Sequence, residues 1–154
     1  MTRRSTVIGG VALVVAAGAT AAGIAVAFGG GDSSLTPEQY LARADAVCVS
    51  YARRLDHVSP PDPTSAADVA ASVGKALPIL RAQAEAVRRI RPPHELEGRV
   101  RVFFARTDRS LAALAAELEA AKRNDAKTMK ARFGDWVVAS AAAQEASMRV
   151  GYRC

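Results

Sequence analysis

Few residues in this chain are able to do chemistry, and their spacing decides what they do. There are two cysteines, Cys48 and Cys154, and two histidines, His57 and His94. A zinc or di-iron centre needs several converging ligands, and neither histidine belongs to a Glu-x-x-His or His-x-x-x-His pair. His94, beside Pro92-Pro93 and Glu95, reads as a polar residue at a helix start. The cysteines form no Cys-x-x-Cys motif and have no histidine pattern beside them, so a catalytic dithiol lacks its usual setting. Glu117 and Glu119 stand two apart on a predicted helix, which sends their carboxylates in different directions. Gly29-Gly30-Gly31 follows an apolar run rather than a strand, unlike a phosphate-binding loop, and no nucleophile elbow, P-loop or dinucleotide fingerprint is present. These patterns predict no catalytic site, no metal and no cofactor.

What must position the remaining candidates begins with an address. After Met1-Thr2-Arg3-Arg4-Ser5-Thr6 the chain runs from Val7 to Phe28 without a charged residue. About 20 apolar residues cross a hydrocarbon core. The two arginines before the run predict a cytoplasmic N-terminus and place everything after Phe28 outside. The expected division is a cytoplasmic N-terminus (1–6), a transmembrane signal-anchor (7–28), a flexible tether (29–35) and an extracytoplasmic helical domain (36–154). Ala25-Val26-Ala27 has the small-x-small form of a signal-peptidase site, so secretion after cleavage near Ala27 is the alternative. Arg3-Arg4 also resembles part of a twin-arginine signal, without the usual following aromatic.

The chain has 154 residues, a net charge of +6 and only 5% aromatic residues. That length holds one modest domain beside the targeting segment. Alanine, leucine, arginine and glutamate favour helix, and β-branched runs are absent after the first segment. The positive balance fits an anionic surface or nucleic acid. For an exported chain the envelope is the expected partner, and nucleic acid conflicts with the address.

Four helices are predicted. Thr36-Pro37-Glu38-Gln39 combines an N-cap, a first-turn proline and a capping box, with Leu35 and Tyr40 placed as a hydrophobic staple. The stripe Leu41, Ala44, Cys48, Tyr51, Leu55, Val58 follows, and Ser59-Pro60-Pro61 ends it. A second helix starts near Ser65 and runs to about Ile90, with Val69, Val73, Leu77, Leu80, Ala84 and Val87 on one face. Pro78 within it predicts a kink, read first as a structural bend and second as the opening of a ligand cavity. After Pro92-Pro93 a third helix carries Leu96, Val100, Phe103, Thr107, Leu111, Leu114 and Leu118 to about Arg123. Asn124 or Asp125 caps a fourth, with Met129, Phe133, Trp136, Val137, Ser140 and Ser147 facing the core and Gly151 as its stop. Short connections predict an all-α fold, an antiparallel up-down four-helix bundle preceded by a single N-terminal transmembrane or signal helix.

That topology returns the end of the fourth helix towards the start of the first. Outside a membrane an isolated cysteine pair is expected to join, so Cys48 and Cys154 predict a structural disulfide. It would close a loop of nearly the whole domain, worth about 4–5 kcal/mol in the chain-entropy model. Ala44-Asp45-Ala46-Val47-Cys48, Ile90-Arg91-Pro92-Pro93-His94-Glu95-Leu96 and Gly151-Tyr152-Arg153-Cys154 together make the chain resemble a group of small exported helical proteins of actinobacteria. The resemblance implies paired cysteines and an outside location and transfers no functional residue.

Arg88, Arg89, Arg91, Arg99 and Arg101 flank the turn between the second and third helices. The expected topology puts them at the membrane-proximal end, where each Lys or Arg near anionic headgroups gains about 1 kcal/mol. A solvated face partly neutralised by Glu85, Glu95 and Glu97 is the blander reading and stands ahead of it. The functional expectation is a membrane-tethered, non-enzymatic domain that binds or supports a component of the envelope, whether a protein or anionic lipid. The alternative is a carrier of a small apolar ligand.

Overall fold

Thr36 and Ser65 open their helices with the same device. The Gln39 N–H donates to Thr36 Oγ1 at 3.3 Å while the Thr36 N–H donates to Gln39 Oε1 at 3.1 Å. At Ser65 the Asp68 N–H donates to Ser65 Oγ at 3.1 Å and the Ser65 N–H to Asp68 Oδ2 at 3.0 Å. Each box satisfies two amides that a helix start leaves without partners. In this computed structural model, which describes residues 35–58 and 65–153, the helices are α1 (Pro37–Leu55), α2 (Ala66–Arg88), α3 (His94–Lys122) and α4 (Ala126–Val150). The described residues contain no strand.

Asp125 Oδ1 accepts from the Thr128 N–H at 3.0 Å and caps α4. Asn124, at φ 53°, turns the chain out of α3 in a conformation that asparagine tolerates better than most residues. Gly151 sits at φ 102°; its N–H donates to Ser147 O and Met148 O, and the Tyr152 N–H donates back to Ser147 O at 3.2 Å. This is a Schellman closure, and it turns Tyr152 back onto the helices. A Cβ on Gly151 would be strained at that φ, and it would stand in contact with Leu41 Cδ1 at 3.4 Å. Gly151→Ala is expected to lower stability by about 1–2 kcal/mol, read from the denaturation midpoint of the full chain.

Some boundaries differ from the sequence reading. α1 stops at Leu55, and Val58 lies in the turn that follows rather than on the helical stripe. Leu35, assigned to the tether, is half-buried against the first core cluster, as a staple requires. α2 passes through Pro78 as one continuous helix, and Pro78 is exposed. The anchor over residues 7–28 lies outside the described residues, as does the rest of the tether. Among the described residues no helix is long and apolar enough to cross a membrane.

The core forms two clusters. The first joins Tyr40, Ala44 and Cys48 of α1 to Val87 near the end of α2, Leu96 and Val100 at the start of α3, Val150 at the end of α4, and Tyr152. The second joins Leu77 of α2 to Leu114 and Leu118 of α3, with Ala70, Val73, Leu80, Leu111, Ala115 and Trp136 around them. A fully buried Leu or Val contributes about 1.5–3 kcal/mol relative to exposure, so both clusters are substantial. α3 and α4 pack most extensively, then α2 on α3, then α1 on α2. α1 gives no residue to the second cluster. The expectation for α4 therefore needs correction: Phe133 and Val137 are exposed at 49% and 44%, and Trp136 is only half-buried. The early turns of α4 are covered from fewer sides than its end.

Candidate ligand cavity and basic rim

Between the two clusters the side chains that meet are small. Ala84 on α2, Ser110 on α3, and Ser140, Ala143 and Ser147 on α4 all point into the same level of the molecule. Backbones spaced by leucine and aromatic side chains on either side leave volume where only alanine and serine meet. The result is a cavity of 390 Å³. Leu80, Leu111, Leu114 and Trp136 wall it towards the second cluster, and Ala44, Cys48, Val87, Phe103 and Tyr152 towards the first. Its lining contains no charged side chain.

The polar groups on the wall divide into two kinds. Thr107 Oγ1 donates to Phe103 O at 3.0 Å and Ser140 Oγ to Val137 O at 3.0 Å, so both hydroxyl protons are taken up within their own helices. Gln83, Ser110, Gln144 and Ser147 also line the cavity and make no side-chain hydrogen bond to a described residue. Ser147 is nevertheless only 7% exposed. Among the described residues no fully buried polar side-chain atom lacks a partner, so the unpaired Ser147 hydroxyl retains some access to solvent-sized space.

Tyr152 closes one end. Its hydroxyl hydrogen-bonds that of Tyr40, and its ring stands edge-on to Phe103 with centroids 5.0 Å apart. Burial pushes the Tyr152 phenol far above its ordinary pKa, helped by the bond to Tyr40 and the nearby Asp45 carboxylate. Burial also raises that of Tyr40, partly offset by the same bond. The Arg153 N–H donates to Asp45 Oδ1 at 3.0 Å, one turn before Cys48. Cys48 is buried, lines the cavity and is not a free thiol. Its expected partner, Cys154, lies outside the described residues.

The predicted arginine group separates in space. Arg88 bridges Asp108 at 2.8 Å, pairs with Glu85 and lies over the Phe104 ring at 4.7 Å. The hydrogen bond to Asp108 raises its pKa, so it is a fixed cation tying α2 to α3. Arg99 donates to Arg149 O at 3.2 Å, at the carbonyl end of α4 where a cation is favoured. Arg89, Arg91 and Arg101 are exposed and make no ion pair with a described residue. Of the three acids expected to neutralise the group, Glu85 pairs with Arg88, while Glu95 and Glu97 make no ion pair with a described residue.

Other sequence candidates lie apart from the cavity. Glu117 is buried on α3, and burial raises its pKa; Glu119 is exposed and bonded to Lys122, so the two carboxylates do diverge. His94 opens α3, and His57 lies in the turn after α1. Among the described residues no three His, Cys, Asp or Glu side chains converge as metal ligands would. Pro78 is exposed and is not part of the cavity wall, which α2 lines from Leu80 onwards. The usable sequence signal was the recurrence of small residues at core spacing, Ser140, Ala143 and Ser147 opposite Thr107 and Ser110. No protein-family model, no curated protein and no solved structure matches the chain.

Proposed function

We propose that this chain is a membrane-tethered, non-enzymatic carrier of a small apolar ligand, held outside the cell membrane. The observation that carries the reading is the uncharged, largely apolar cavity of 390 Å³ between the two core clusters. Its size falls within the range of small-molecule pockets, about 300–1,000 Å³. The architecture proposed is an antiparallel up-down four-helix bundle. The starts of α1 and α3 gathered with the ends of α2 and α4 support it. The uncharged run from Val7 to Phe28 supports a single-pass anchor with the N-terminus in the cytoplasm. The resemblance to small exported helical proteins of actinobacteria fits the same address. Thermal unfolding of the full chain, followed with and without lipid extract from cell envelopes, tests the carrier. Ligand at 100 times its Kd adds about 2.7 kcal/mol, so the midpoint should rise clearly. An unchanged midpoint across all extract fractions rejects the carrier.

The exposed Arg89, Arg91 and Arg101 form a basic rim at the end of the domain where α1 begins. In this reading they rest against anionic headgroups of the membrane that holds the anchor. Reversing all three to glutamate, with Arg88 left in its bridge to Asp108, is expected to lower binding of the signal-cleaved domain to anionic vesicles by about tenfold or more. Unchanged binding removes the rim from the proposal. A second reading, docking of an envelope protein on α4, is favoured by the exposed Phe133, Val137 and Val138. Crosslinked capture that is lost in Phe133→Asp and Val138→Asp would select it.

A further inference from the structure

The carrier reading leaves the ligand's chemistry open, and the polar groups on the cavity wall narrow it. Two glutamines on different helices, the half-buried Gln83 of α2 and the exposed Gln144 of α4, line the cavity together with the half-buried Ser110 and the buried Ser147. None of the four makes a hydrogen bond to a described residue, so their bonding capacity remains available to a guest. Each carboxamide offers two donors and an acceptor with two lone pairs, and each hydroxyl offers both roles. A guest with a hydroxyl, ester or amide head would satisfy them. A pure hydrocarbon would cover Gln83, Ser110 and Ser147 and leave their capacity unmet, which is unfavourable, while the exposed Gln144 would keep its contact with water.

Charge sets the other limit. The lining holds no arginine, lysine or histidine, so a carboxylate or phosphate would enter without a counter-ion. An unpaired ion carried out of water against this apolar wall is strongly disfavoured. The lining equally holds no acid to pair with an amine. The arginines of the rim do not alter this, because none of them belongs to the wall.

Resting on the carrier reading, we infer that the ligand is a neutral amphiphile: an apolar tail among Leu80, Leu111, Leu114 and Trp136, and an uncharged hydrogen-bonding head at Gln83 and Gln144. Fatty alcohols, fatty amides and neutral acyl esters belong to this class. Free fatty acids and phospholipids do not.

Trp136 is the only tryptophan in the chain and lines the cavity, so its emission reports occupancy directly. The full chain, reconstituted in phosphatidylcholine vesicles, is titrated with octanol, octanamide, octane and ionised octanoate, each referred to its free aqueous concentration. Octanol and octanamide are expected to bind about tenfold or more tighter than octanoate. The octanol preference over octane should fall about tenfold in Gln83→Leu/Gln144→Leu. Lipid partitioning of each probe is the same for both proteins and cancels from that comparison. Octanoate binding as well as octanol overturns the inference. So does octane matching octanol in the wild-type chain, a measurement that needs no variant to fold. If octane and octanol both move Trp136 equally, the carrier survives and only the head-group inference falls. If none of the four probes moves it, carrier and inference fall together.

Discussion

Tyr40→Ala is expected to lower the unfolding free energy by about 3–5 kcal/mol, the range for removing a large aromatic side chain from a core. Tyr40 has no exposed surface and joins α1 to both the start of α3 and the C-terminal turn. Tyr40→Phe isolates the polar part of that effect. It keeps the ring but removes one end of the bond to Tyr152, and an unsatisfied buried hydroxyl costs about 1–3 kcal/mol. Alkaline titration supplies a signature that packing alone does not. Both phenols are raised in the folded state, whereas an unfolded tyrosine ionises near about 10. Between the unfolded and folded values the unfolded chain loses its phenolic protons first. The contribution is therefore fully present below about pH 10 and is lost as pH rises towards the folded values. Denaturation midpoints should fall over that alkaline window in the wild-type chain and much less in Tyr40→Phe/Tyr152→Phe. Parallel pH curves for the two proteins would contradict this account.

The second large effect concerns Cys48. If it is bridged to Cys154, Cys48→Ala should cost about 4–5 kcal/mol through the entropy returned to the unfolded chain. The setting favours such a bridge, since Arg153 is bonded to Asp45 and Tyr152 is packed against Tyr40, both on α1. A reductant should lower the midpoint of the wild-type chain by the same amount and leave Cys48→Ala unmoved. Equal sensitivity of both proteins, or of neither, would remove the disulfide. Because Cys48 lines the cavity, reduction should also weaken ligand affinity before it unfolds the domain.

Much of the fold was legible because helix ends are local chemistry. The Thr36–Gln39 box, the Asp125 cap and the Gly151 stop each depend on residues within a few positions of one another, and all three are found. The box at Ser65 needed only Asp68 beside it and was readable on the same ground. The face of α4 was not, because periodicity says which residues share a face but not how far a neighbour covers it. Phe133 and Val137 have core spacing, yet α1 contributes nothing to the cluster at that level. The cavity wall was not legible for a related reason. Proline advertises a bend in one chain, whereas a void arises where small side chains of several helices happen to meet. Ser147 and Gln144 gain meaning only through Ala84, Ser110 and Tyr152 opposite them.

The division of the core into two clusters has a consequence for the order in which the molecule assembles. The second cluster joins α2, α3 and α4, which follow one another along the chain. Before any bridge from Cys48 forms, the first requires Tyr40 and Tyr152 to meet across 112 residues, a contact whose loop entropy must be met before it gives anything back. The three later helices can therefore form a foldon that α1 joins last and leaves first. Amide protons of α1 would then exchange through a partial opening that α3 and α4 do not share. That opening removes the wall formed by Ala44 and Cys48, so a guest could depart by the release of one helix while the other three stay folded.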